Sequence, residues 1–103
     1  MARIIRISRE EAKRRLEDVP DDKRFWCHDG RLLKNLGELE KALSEMSDET
    51  FNYHSSEGRN DFSNWVRDVL GDNKLAKDLA KAKSRIQASK AVAQRTSFLG
   101  SKA

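Results

Sequence analysis

The segment that most constrains the fold is Phe62–Leu70. Phe62, Trp65, Val66, Val69 and Leu70 recur at i, i+3, i+4, i+7 and i+8, so a helix here buries one continuous apolar stripe. Asn60 and Asp61 precede it and are residue types that accept hydrogen bonds from the unpaired N–H groups of a first turn. Gly71 follows in the place of a left-handed C-terminal residue. Such a stripe needs a second apolar face to cover it. With 103 residues, 37% hydrophobic and 37% charged, the cover has to come from one small domain with polar ends.

The rest of the chain offers that cover in short pieces. Ile4, Ile5 and Ile7 read as a β-prone stretch interleaved with Arg3 and Arg6. Ser8 with Glu11 has capping-box spacing and opens a helix over residues 9–18, closed by Pro20. Residues 24–28 and 31–34 flank Asp29-Gly30, a type I′ turn signal, and predict a β-hairpin. In a strand from Arg24, Phe25 and Cys27 share one face and Trp26 and His28 the other. Asn35 and Glu38 open the next helix, whose Leu36, Leu39, Leu43 and Met46 form one face. Ser47 caps a short helix to His54, residues 55–58 read as a loop, and Asp72 or Asn73 restarts a helix through Leu75, Ala76 and Leu79. Beyond Ala82 the period fades. Leu79, Ala82, Ile86, Ser89 and Ala93 keep a loose heptad spacing, which fits a free helix, a weak coiled coil or a tail that orders on a partner.

The expected fold is mainly α (α+β): a compact bundle of four to five short helices with one small β-hairpin. Residues 1–22 form an N-terminal strand/helix extension, 23–82 the core domain, and 83–103 a basic C-terminal tail, helical or flexible. The expected core is Phe25, Leu36, Leu39, Leu43, Met46, Phe51, Phe62, Trp65, Val66, Val69, Leu75 and Leu79.

Charge is unevenly spread. Residues 73–103 carry eight Lys/Arg against one acid, Asp78, whereas residues 1–72 carry 13 Lys/Arg against 16 acids. The basic segment suits an acidic partner, and Lys74, Lys77, Lys81, Lys83, Arg85, Lys90 and Arg95 are the candidate nucleic-acid contacts. Phe98 is its single aromatic, so no base-stacking pattern accompanies the charge.

Other chemistries find little support. The single cysteine, Cys27, rules out an intramolecular disulfide and has no CxxC or Cys/His partner. There is no glycine-rich phosphate loop, GxSxG, HExxH or EF-hand loop. No apolar run is long enough for a signal peptide or a bilayer span, so a soluble, cytoplasmic protein is expected. His54 with Asp61, and Asp68 or Asp72 beyond, resembles a base or metal ligand with carboxylate neighbours. One His with carboxylates is a poor zinc set and no nucleophile stands nearby, so no catalytic residue, metal or cofactor is expected. Asn60, Asp61 and Asp72 are explained as caps. Asp61, Asp68 and Asp72, brought together, would dock a basic partner or the protein's own C-terminal segment.

Several features stand in a distinctive order: Phe51-x-Tyr53-His54, then Asn60-Asp61-Phe62-x-x-Trp65-Val66-x-Asp68-Val69-Leu70-Gly71-Asp72. Over roughly residues 24–80 the chain resembles a small family of uncharacterised archaeal and bacterial domains with a YH…NDFxxW[VI]xD signature. That family carries no assigned biochemical function, so the resemblance implies no activity. The N-terminal helix and basic tail lie outside it.

The leading expectation is a non-enzymatic protein-interaction module. Its candidate surface is Trp26, His28, His54, Asp61, Asp68 and Asp72, and its protein partner is unknown. A nucleic-acid-associated protein, binding through the basic segment, is the alternative. No membrane partner is expected, and the sequence does not specify an oligomeric state.

Overall fold

The computed structural model describes residues 7–56 and 58–103. Ile4 and Ile5, expected in a β-prone stretch, lie outside the described residues. Helix α1 (Arg9–Leu16) begins at Ser8, whose Oγ accepts from the Glu11 N–H at 3.1 Å. Only half of the capping box forms. The Glu11 carboxylate turns instead to Arg14 and Arg15, at 2.6 and 2.7 Å.

A first hairpin pairs β1 (Phe25–Trp26) with β2 (Leu32–Leu33), register Phe25 to Leu33 and Trp26 to Leu32. The turn differs from the expected type I′. No described non-glycine residue has positive φ, so Asp29 cannot supply the first left-handed position. The loop instead closes with Gly30 N–H to the Cys27 carbonyl (2.9 Å), with Gly30 at φ +98° and Cys27 N–H on the Arg31 carbonyl (2.8 Å). This is the three-residue loop with a glycine bulge. Its extra residue leaves the His28 N–H free of the strand ladder.

Helix α2 (Leu36–Glu45) is capped by Asn35 and α3 (Asp48–His54) by Ser47, each side chain accepting from an N–H three residues on. Of the loop expected over residues 55–58, Ser55 and Ser56 instead form a strand of a second hairpin. Its strands are β3 (Ser55–Ser56) and β4 (Arg59–Asn60). Asn60, not Asp61, is the N-cap of α4 (Asp61–Trp65), accepting from the Ser63 N–H at 2.9 Å.

The expected single α-helix changes pitch. Val66–Leu70 is π-helical and ends at Gly71, φ +73°, whose N–H reaches back to the Val66 carbonyl. Phe62, Trp65, Val66 and Leu70 stay buried through the change, and Val69 is half-buried. Helix α5 (Asn73–Lys81) starts at Asp72, which accepts from the Leu75 N–H at 2.8 Å. Two side chains from the α4 region fasten it: Ser63 Oγ donates to the Ala76 carbonyl (2.7 Å) and Asn60 Nδ2 to the Leu79 carbonyl (3.1 Å).

The basic segment is part of the core. Helix α6 (Arg85–Lys102) packs against α2, α1 and α5, with Ala88, Val92 and Leu99 fully buried. These three fall at i, i+4 and i+11 of a face different from the expected heptad, and Ile86 from that heptad is exposed. The phase differs because α5 ends at Lys81 and Ser84 caps a new helix, so no single period runs through. One hydrophobic cluster reaches from Ala12 to Leu99, and the sequence division at residues 22 and 82 does not divide the packing.

At the centre, Phe62 stacks on Phe25 (5.2 Å between centroids) and Phe51 (5.7 Å), while Trp65 meets Phe25 edge-on. Trp65 Nε1 donates to the Lys23 carbonyl at 2.7 Å, so its polar edge is satisfied as its body is buried. Among the described residues, no helix is long and apolar enough to cross a membrane.

Candidate functional site

The structure separates the residues that the sequence grouped. Trp26 is 77% exposed and lies opposite Leu32, itself exposed, across the hairpin. His28 is exposed and stacks on the exposed ring of Tyr53, centroids 3.9 Å apart and planes 15° apart. The Arg59 guanidinium lies over Tyr53 at 4.9 Å. Trp26, Leu32, His28, Tyr53 and Arg59 therefore bring aromatic, aliphatic and cationic groups to the hairpin and the end of α3. Alternation had turned Trp26 and His28 outward. Leu32 was not legible: the expected two-residue turn pairs Trp26 with Leu33 and turns Leu32 inward with Cys27, and only the three-residue loop sets Leu32 opposite Trp26. Arg59 required the second hairpin, which was expected as a loop, and Tyr53, on the expected α3, joins the group only through its stack on His28.

His54 is not part of this surface. It is buried, and its ring bridges two elements. Nε2 accepts from the His28 backbone N–H at 2.9 Å, the donor freed by the bulged loop. That fixes the proton on Nδ1, which donates to Asp61 Oδ2 at 2.9 Å. Both nitrogens are occupied, so His54 has no free lone pair for a metal or substrate and ties the first hairpin to α4. Burial pushes the Asp61 carboxyl up, but hydrogen bonds from Arg59 and His54 outweigh it and hold it below the usual range. Pairing with Asp61 raises Arg59 in turn.

The three acids do not converge. Asp61 serves His54 and Arg59, and exposed Asp68 pairs with its neighbour Arg67. Asp72 is fully buried and meets Arg15 Nη1 (3.1 Å) and Arg95 Nε (2.9 Å) while capping α5. It joins α1, α5 and α6 and cannot touch a partner, contrary to the expected surface. The basic partner it docks is this protein's own C-terminal helix. Among the described residues no three His, Cys, Asp or Glu side chains are placed to hold a metal ion. Burial raises the Cys27 thiol, which stays protonated behind β1.

The basic set divides likewise. Arg85 donates to the Leu43 and Ser44 carbonyls at 2.8 and 2.9 Å, closing the open end of α2, and reaches Asp48. Arg95 belongs to the Asp72 cluster, and Lys74 pairs with Asp78. Lys77, Lys81, Lys83 and Lys90 are exposed. Arg85 and Arg95 thus tie elements of the fold together.

Compared with protein-family models, with curated proteins and with solved structures, the chain finds no match.

Proposed function

We propose that this chain is a non-enzymatic protein-interaction module whose docking face is Trp26, Leu32, His28 and Tyr53. The observation that supports it is the exposure of Trp26 beside Leu32, on a hairpin whose other face is locked into the core. Exposed tryptophan is concentrated at binding hot spots, where it brings large rigid area at low entropic cost. The rigid mounting helps further: His54 fixes the loop through the His28 N–H, so little ordering remains to be done on binding. The partner this face fits is a protein presenting apolar side chains with an acceptor near Arg59. A cytoplasmic setting suits the lone buried thiol of Cys27.

The test is affinity isolation with the wild-type chain, Trp26→Glu and Lys13→Glu as baits. Lys13 is exposed on α1, away from the hairpin. The reading predicts a co-purifying protein retained by Lys13→Glu and lost with Trp26→Glu. Identical recovery by all three baits would refute it.

A further inference from the structure

A second surface lies beyond the aromatic face, between the β3–β4 hairpin, α4 and α5. One cleft of about 520 Å³ is lined by Ser55, Ser56, Arg59, Asn64 and Arg67, among others. A second, about 300 Å³, is lined by Arg67, Asn73 and Lys77. The two share Ser63, Arg67 and Ala80, so they adjoin as two lobes of one groove. No carboxylate is among the described residues that line it.

We propose that this groove binds the phosphates of a nucleic-acid backbone. Its walls are built of hydrogen-bond donors. Arg59 gives Nε and Nη2 to Asp61, and Arg67 gives the same two atoms to Asp68. Each carboxylate therefore holds a guanidinium in place from one side and leaves Nη1 for a ligand. Ser56, Asn64 and Lys77 make no side-chain hydrogen bond among the described residues, so their donors are also available. Because the two Arg–Asp pairs are each neutral, the net positive charge lining the groove comes from Lys77. Lys81 stands exposed one turn further along α5, outside the lining.

Two features select a polymer of phosphodiesters over other phosphate sources. Along α5, the stretch Asn73 to Ala80 rises about 10 Å at roughly 1.5 Å per residue, room for more than one phosphate. The apolar lining is Ala76, Ala80 and Ala82, small residues with nothing to insert into a bilayer. The groove also departs from the sequence expectation. It enlists Arg59 and Arg67 from outside the basic segment and needs neither Arg85 nor Arg95.

Fluorescence anisotropy with labelled single- and double-stranded oligonucleotides tests this, with inorganic phosphate and phosphatidylglycerol vesicles as separate arms. Binding should weaken linearly on a log–log salt plot, by about 0.7 per phosphate for single strands and 0.9 for duplex. Lys77→Ala should lower that slope by about one. Asn64→Asp, which puts a carboxylate on the groove wall, should weaken binding further. Lys90→Ala, an equal charge change at an exposed position of α6, should leave affinity and slope unchanged. All three positions are exposed, and unchanged thermal melts would show the variants folded. The proposal fails if neither oligonucleotide binds at low salt, or if Lys90→Ala costs as much as Lys77→Ala. It fails too if vesicles bind as tightly as the oligonucleotides, or if inorganic phosphate displaces them at matched phosphate concentration. None of these outcomes bears on the Trp26 face, whose test reads a protein partner.

Discussion

Replacing Asp72 should cost more stability than any other single acidic substitution. Its carboxylate is fully buried, and the two arginines on it are only 17% and 11% exposed at their side chains. Removing one partner of a buried ion pair strands the other, at about 3–5 kcal/mol. The arginines keep some water, so the low end applies. Asp72→Asn should therefore lose about 3 kcal/mol, because the amide oxygen still caps α5 while the charge is gone. Asp72→Ala also loses the cap, worth about 1 kcal/mol, for about 4 in all. Urea unfolding followed by Trp65 fluorescence would read this. With a slope of about 1.5 kcal/mol per M, the midpoint should fall by about 2 M for Asn and about 2.7 M for Ala. A domain of this size has about 5–15 kcal/mol in total, so Asp72→Ala leaves a marginal fold. A shift below about 0.3 M for Asp72→Asn would refute the argument, since that is the range of an ordinary surface change. Replacing Asp72, Arg15 and Arg95 together by apolar residues should cost much less than Asp72→Ala alone, because no charge is then stranded.

Trp65→Ala should cost about 3–5 kcal/mol, and Trp65→Phe about 1–2 from the unpaired Lys23 carbonyl and lost ring area, both read by thermal or chemical melts. Arg14 and Arg15 hold the Glu11 carboxyl at about 2 against an ordinary 4.5. The unfolded chain therefore takes up that proton first, and the stability Glu11 contributes is present above about 4.5 and lost as pH falls toward 2. Glu11→Gln should flatten that part of an acid titration of the melting temperature. Gly71→Ala should cost about 1–2 kcal/mol, from a left-handed backbone that disfavours a Cβ. A Cβ there would also lie 3.2 Å from Arg14 Nη2, so an unchanged melting temperature would show that the π-turn relaxes.

The core was legible because its signals are local. Leu36, Leu39, Leu43, Phe62, Trp65 and Val66 lie on helical stripes that caps delimit, and caps depend on residues three apart. Asn35, Ser47 and Asp72 act where the sequence placed them. The turn type was not legible, because Asp29-Gly30 serves both hairpin loops, and what distinguishes them is the pull of His54 on the His28 N–H from 26 residues away. The fate of α6 was hidden for a similar reason. Ala88, Val92 and Leu99 are sparse and small-to-medium, and only the facing α2, α1 and α5 make them a core stripe. Among the charges, sequence distance could not separate a buried tie from a solvated side chain. Asp72, Arg85 and Arg95 look like their neighbours until their partners are known.

The place of α6 also sets the order in which this protein can fold. Ala88, Val92 and Leu99 close a core whose opposite walls, α1 and α2, are made first. While residues 85–102 are still being synthesised, α2 lacks the helix it packs against and its last carbonyls lack Arg85. Asp72 has only one of its two cations. A ribosome-bound chain stalled before α6 should thus be protease-sensitive and sticky, and should become resistant only once Leu99 has emerged.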